Sequence, residues 1–143
     1  MQQEDWFMRQ INLLGRVLGK VLADLLGLKA QGRVEEGIEA AEKTLISELN
    51  LNIDELLSIP TDHFIKTLQE GENFSDDNLD ALAEIFFLIG EELDRTGTDA
   101  DKKSRLFERS LTIYEYVDKA GSTYSVERHA KIELLKSLLY KMI

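Results

Sequence analysis

Residues 15–45 read GRVLGKVLADLLGLKAQGRVEEGIEAAEKTL, and the fold turns on how this stretch divides. Gly15, Gly19, Ala23 and Gly27 recur every four residues ahead of a break at Gln31 and Gly32. A glycine inside a helix costs about 1 kcal/mol relative to alanine, so three in one amphipathic stretch require a close packing partner to offset them. An antiparallel second helix would set Gly37 beside Gly27, Ala41 beside Ala23 and Leu45 beside Gly19. The expectation is a tightly closed helical hairpin in which small residues meet small residues.

Working outward, Phe7, Ile11, Leu14, Leu18, Val21, Leu25 and Leu28 follow alternating steps of four and three, a heptad seam that predicts a helix from about Gln3 to Ala30. A second helix is expected over Val34–Leu49. Then NLNIDELLSIP, residues 50–60, predicts a short helix capped by Asn52 with Glu55 three residues on, closed by the only proline. Thr61 or Asp62 is expected to cap a second short helix ending near Gly71, so that the two pieces form a bent connector. The apolar run LAEIFFLIG, residues 82–90, marks helix five (Asp76–Arg95) as the most buried. Helix six is expected over Asp101–Lys119. Helix seven, over Ser125–Lys141, is expected to present Val126, Ala130, Leu134, Leu135, Leu138 and Leu139 to the core. No stretch alternates with period two, so no strands are expected. The predicted fold is all-α: one helical domain over residues 1–143, about seven helices, with Phe86, Ile89, Phe107 and Tyr114 buried and Gly90 making room for an aromatic ring.

The length suits one domain able to bury about 70% of its unfolded surface. The net charge of −10 is unevenly spread: residues 1–34 carry +2, residues 35–101 carry −16 and residues 102–143 carry +4. Such an acidic chain is a poor nucleic-acid binder, because non-specific affinity rests on clustered Lys and Arg. The pattern suggests a solvated acidic surface, or matching between the middle and the two ends, within one chain or between two. There is no cysteine, which removes disulfides, thiolate zinc sites and cysteine nucleophiles and favours a reducing compartment. The acidic opening MQQED is unlike a secretory signal, and the longest strongly apolar run is Ile85–Ile89. A cytoplasmic protein without stable membrane association is expected.

The segment GRVEEGIEAAEKTL, residues 32–45, resembles the second half of a tetratricopeptide repeat. Ala83–Val117 resembles a degenerate second unit, with Gly90 near the family's small position and Phe107 and Ser110 near its packing positions. More broadly, DWFMRQI (5–11), IDELLSI (53–59), LAEIFF (82–87) and YSVERHAKI (124–132) resemble an uncharacterised bacterial family of short helical proteins. The resemblance implies an architecture of tetratricopeptide-like helix hairpins with a bent two-helix connector. It implies no catalytic site.

The residues offer little chemistry of their own. His63 and His129 stand in no two-ligand helical spacing and beside no readable nucleophile. Neither DRTGTDAD (94–101) nor SDDNLD (75–80) fits the ligand register of a calcium loop, so their acids read as helix caps. No pair of E-x-x-H motifs and no glycine-rich phosphate loop is present. No cofactor, metal or catalytic residue is therefore assigned, and an enzyme is the less favoured reading.

One feature of the first helix points outward. Trp6 and Phe7 open its apolar seam, and Arg9, Arg16 and Lys20 form a basic edge suited to an acidic face such as Glu35, Glu39 and Glu42. The function expected is a non-catalytic protein-interaction or scaffold module, homodimeric or bound to another protein through Trp6, Phe7, Arg9, Arg16 and Lys20. The alternative is a small-ligand binder or enzyme with a pocket between helices, to which His63 or Tyr114 contributes a polar group.

Overall fold

The computed structural model describes residues 2–121 and 124–142. Among them are seven helices and no strand: α1 (Gln2–Ala30), α2 (Val34–Leu49), α3 (Ile53–Leu57), α4 (Thr61–Glu72), α5 (Asp76–Thr96), α6 (Ala100–Ala120) and α7 (Val126–Tyr140). The all-α bundle expected from periodicity is thus the fold.

The first hairpin closes where predicted, on different residues. Gly32 adopts φ +68°, and the Arg33 N–H donates to the Leu28 carbonyl at 2.8 Å. Leu14, Val17, Leu18, Val21 and Leu25 are buried, whereas Gly19, Ala23 and Gly27 face water, and a Cβ added to Gly19 or Gly27 would meet nothing within 4 Å. The expected small-residue ridge is therefore absent. The reason is angular: four residues advance a helix by about 40° beyond a full turn, so a strict step of four drifts about 120° from Gly15 to Gly27. Gly15 still touches the bundle, through Asn78, and Gly27 has rotated out. The alternating steps of four and three hold their direction, and they carry the buried face. The small residues that α2 does bury are Ala41 and Gly37, where an added Cβ would run into the Leu28 side chain.

The connector bends as expected, with altered ends. The Asn52 side chain accepts the Glu55 N–H at 3.1 Å and starts α3. At α4, neither Thr61 nor Asp62 is the cap. Pro60 takes that position without a side-chain bond, because the Thr61 hydroxyl is engaged elsewhere, donating to Glu108 Oε1 at 2.9 Å. The helix also runs through Gly71 and stops at Asn73, which adopts φ 58°.

Helix α5 is the centre of the molecule. Phe86 and Phe87 are enclosed, the latter with its ring centroid 5.9 Å from that of Phe107. Cross-contacts fix the helix directions. Asn78 bonds Ile11 and Lys29 pairs with Glu91, so α1 and α5 run parallel. Arg128 pairs with Asp80 and Lys131 with Glu84, so α7 also runs parallel to α5. Helix α2 runs antiparallel to α1, and α6 packs antiparallel to α5 and against α7. The α3–α4 connector packs on α6, where Thr61 meets Glu108 and Gln69 meets Tyr116.

Helix α7 departs from its expected face. Ile132 and Leu135 are buried, Leu138 and Leu139 partly so, but Ala130 is exposed and Val126 and Leu134 are 71% and 44% exposed. Arg128 and Lys131 occupy the inward positions instead, held by carboxylates of α5. An apolar pattern cannot reveal a helix that docks through ion pairs.

Candidate functional site

Residues 4–9, at the start of α1, are exposed, and from Gln10 and Ile11 onward the body partly covers the helix. At 1.5 Å per residue, its 29 residues extend about 43 Å against about 24 Å for the 16 of α2. Among the described residues, the first buried side chain of α1 is Leu14. Ahead of it Trp6, Phe7 and Met8 are 51%, 44% and 55% exposed, and the Trp6 and Phe7 rings meet edge to face with centroids 5.2 Å apart. An apolar end is thus displayed on a regular helix.

The structure separates the basic residues from the seam. Phe7 continues the line of Leu14 and Val21 by heptad spacing, whereas Arg9 points about 200° further round. Arg9, Arg16 and Lys20 are exposed on the side of α1 away from the core, and Trp6 lies between the two directions, about 60° from Arg9. Among the described residues, none of the three cations is in an ion pair. Nor are Glu35, Glu39 and Glu42 free to receive them: Glu35 lies 3.9 Å from Arg95, Glu39 pairs with Lys43 and Glu42 with Lys102. The matching of acidic middle and basic ends is realised inside the chain. Lys29, Lys102, Lys103, Arg128 and Lys131 all pair with acids of the middle segment. Lys102 is held protonated above its usual range: burial opposes the charge, and Glu42 and Asp54 more than offset it.

A second feature is an open groove of about 720 Å³ along α5, walled by Leu22 and Leu26 of α1 and by Arg128, Lys131 and Leu134 of α7. Asp80, Ala81 and Glu84 form its floor, with Tyr114 reaching in from α6. The Tyr114 hydroxyl donates to Glu84 Oε2 at 2.6 Å, and Lys131 Nζ lies 3.5 Å from Glu84 Oε1 and 3.9 Å from the centre of the Phe87 ring. Arg128 donates to both oxygens of Asp80, at 3.3 and 3.0 Å. Burial, then the hydrogen bond and charge of Glu84, push the Tyr114 hydroxyl far above its ordinary range and keep it neutral. The Ser125 hydroxyl accepts the Arg128 N–H as a helix cap. Most of these polar groups are spent on one another, so the groove presents an apolar wall and a largely paired floor; the exception is Arg128 Nη1, which is buried without a hydrogen-bond partner, 3.9 Å from Asp118 Oδ1.

His63 and His129 do not line the groove. His63 is exposed beside Asp62, and the His129 ring lies 5.8 Å from that of Tyr124. Sequence reasoning missed Arg109, which is 7% exposed. It donates to Thr61 Oγ1 at 2.7 Å and to the Ile59 carbonyl at 2.9 Å, pinning the Pro60 bend to α6, and its guanidinium lies 5.6 Å from the Phe64 ring centre. A signal was present: position 109 falls on the same helical face as Leu106, Ile113 and Val117, where a charge must find buried partners.

No described helix is long and apolar enough to cross a membrane. No protein-family model, curated protein or solved structure matches the chain.

Proposed function

We propose that the protein is a non-catalytic interaction module that self-associates through the N-terminal third of α1. The observation that carries this reading is the run Trp6, Phe7 and Met8, three large apolar side chains exposed in succession on a helix that outreaches its hairpin partner. Such a run loses free energy in water and regains it when covered, and tryptophan is among the residues that most often anchor an interface. Trp6 and Phe7 are the anchors, with Arg9, Arg16 and Lys20 as a cationic border on one side. The parallel directions of α1, α5 and α7 are compatible with tetratricopeptide-like hairpins, an architecture that serves interaction, and the cysteine-free sequence suits the cytoplasm.

Trp6 is the only tryptophan, so its fluorescence reports the site directly. Light scattering should show a dimer at high micromolar concentration, and Trp6 emission should shift on dilution. Trp6→Ala should leave the helical content intact and weaken association. A monomer throughout, with emission unchanged on dilution, would overturn the reading.

A second reading draws on the groove, whose volume falls in the range of small-molecule sites. An elongated apolar ligand would lie against Leu22, Leu26 and Leu134. Its mark would be a rise in melting temperature with such a ligand, abolished by Leu26→Asp and indifferent to Trp6→Ala.

A further inference from the structure

The proposed self-association leaves open which surface of the second copy receives the cations of α1. The cations that reach the acidic middle of the chain are spent: Lys29, Lys102, Lys103, Arg128 and Lys131 each pair there. Arg9, Arg16 and Lys20 have no such partner among the described residues, although their chain carries 27 acids. An uncompensated acidic surface exists at the junction of α4 and α5. Residues 70–77 contain Glu70, Glu72, Asp76 and Asp77 and no basic residue. These four side chains are exposed, and none is in an ion pair among the described residues. Partial burial raises the Glu72 carboxyl above its ordinary range, with no cation to draw it back.

The two surfaces meet at one end of the molecule. Asn78 Nδ2 donates to the Ile11 carbonyl at 3.0 Å, and Gly15 admits the Asn78 side chain against the α1 backbone. The start of α5 is therefore fastened beside the N-terminal third of α1, where Trp6, Phe7 and Met8 project. That end thus carries an apolar anchor, the first cation of the stripe, Arg9, and an unpaired acidic junction, and the stripe continues through Arg16 to Lys20 toward the middle of α1. Within one chain the cations do not pair with that junction. Across a two-fold axis they can, because an isologous contact sets surface i of one copy on surface j of the other and repeats it in reverse.

We infer that two copies dock reciprocally, with Arg9, Arg16 and Lys20 of each against the α4–α5 acidic junction of the other, around the buried Trp6 and Phe7 anchors. This inference rests on the self-association proposed above and adds its orientation and its charge partner. The aromatic anchors supply affinity. The charges supply register and speed of encounter, and they disfavour pairings that bring like surfaces together.

A charge swap tests it. One variant carries Arg9→Glu, Arg16→Glu and Lys20→Glu; the other carries Glu72→Lys, Asp76→Lys and Asp77→Lys. All six positions are exposed, and circular dichroism checks that both variants retain their helices. Each variant alone should self-associate about tenfold or more weakly than the parent, and their equimolar mixture should restore dimers in sedimentation velocity. The unaltered parent supplies an independent readout, since its dimer should weaken as salt rises. Parental self-association by either variant, a mixture that stays monomeric, or a salt-independent parental dimer would overturn the inference. If the charge variants dimerise normally while Trp6→Ala does not, the apolar contact stands and this orientation fails. A parent that is monomeric at every concentration removes both.

Discussion

The ring of Phe107 lies 2.7 Å from the point where a Cβ on Gly90 would stand, so the glycine is what lets α5 and α6 close over that ring. Phe107 is fully enclosed and stacked near Phe87, and it has little room to yield. Gly90→Ala should therefore overpack the core and cost about 1 to 3 kcal/mol, despite alanine's better helix propensity. In urea titration its midpoint should fall below the parent's.

Gly27→Ala should behave in the opposite way. Its added methyl meets nothing within 4 Å, and the helix gains about 0.5 to 1 kcal/mol from the lost glycine. A higher urea midpoint is the expected outcome. A loss would restore the small-ridge packing that the structure does not contain.

Phe86 is fully buried in the most enclosed helix. Phe86→Ala should cost about 3 to 5 kcal/mol, because it leaves a cavity that fixed neighbours cannot fill. A loss below about 1 kcal/mol would place α5 at the periphery.

Arg109 ties the Pro60 bend to α6 through the Ile59 carbonyl and the Thr61 hydroxyl. Arg109→Met removes those bonds and leaves the part-buried Ile59 carbonyl without its donor, at about 1 to 3 kcal/mol. Arg109→Lys should recover little, since a single ammonium cannot reproduce the planar fork that reaches both groups. Parallel urea titrations of the two variants would check the ranking.

The Tyr114 hydroxyl also gives stability a pH dependence. Its acidity in the folded chain is suppressed, first by burial and then by Glu84. A group whose folded pKa is raised stabilises fully below its unfolded value, near 10 for tyrosine, and less as pH rises through the folded value. Stability should therefore fall more steeply above about pH 10 for the parent than for Tyr114→Phe. Equal slopes in alkaline urea titrations would show that Tyr114 ionises as readily folded as unfolded.

Apolar spacing made the seven helices legible, because Leu14, Leu18, Val21 and Leu25 hold one direction over several turns. It also led to Phe86, Ile89 and Phe107, where a long apolar run has no other home than the centre. The stripe from Gly15 to Gly27 misled, because spacing by four looks like a face and is a slow spiral. The inward side of α7 was hidden for a different reason. Arg128 and Lys131 dock it through Asp80 and Glu84, and such pairs follow no short-range pattern. Of the candidate site, the exposure of Trp6 and Phe7 followed from helix length, whereas the outward turn of Arg9, Arg16 and Lys20 needed the true direction of the core.

The central position of α5 bears on how the molecule comes apart. It touches α1, α2 and α6 directly and holds α7 through Asp80 and Glu84. Were the α1–α2 hairpin to melt alone, it would strip one flank of α5; were α6 and α7 to leave, Phe86 and Phe87 would lose their cover. Because α5 is shared by both halves, heating is expected to abolish the helices in one calorimetric transition.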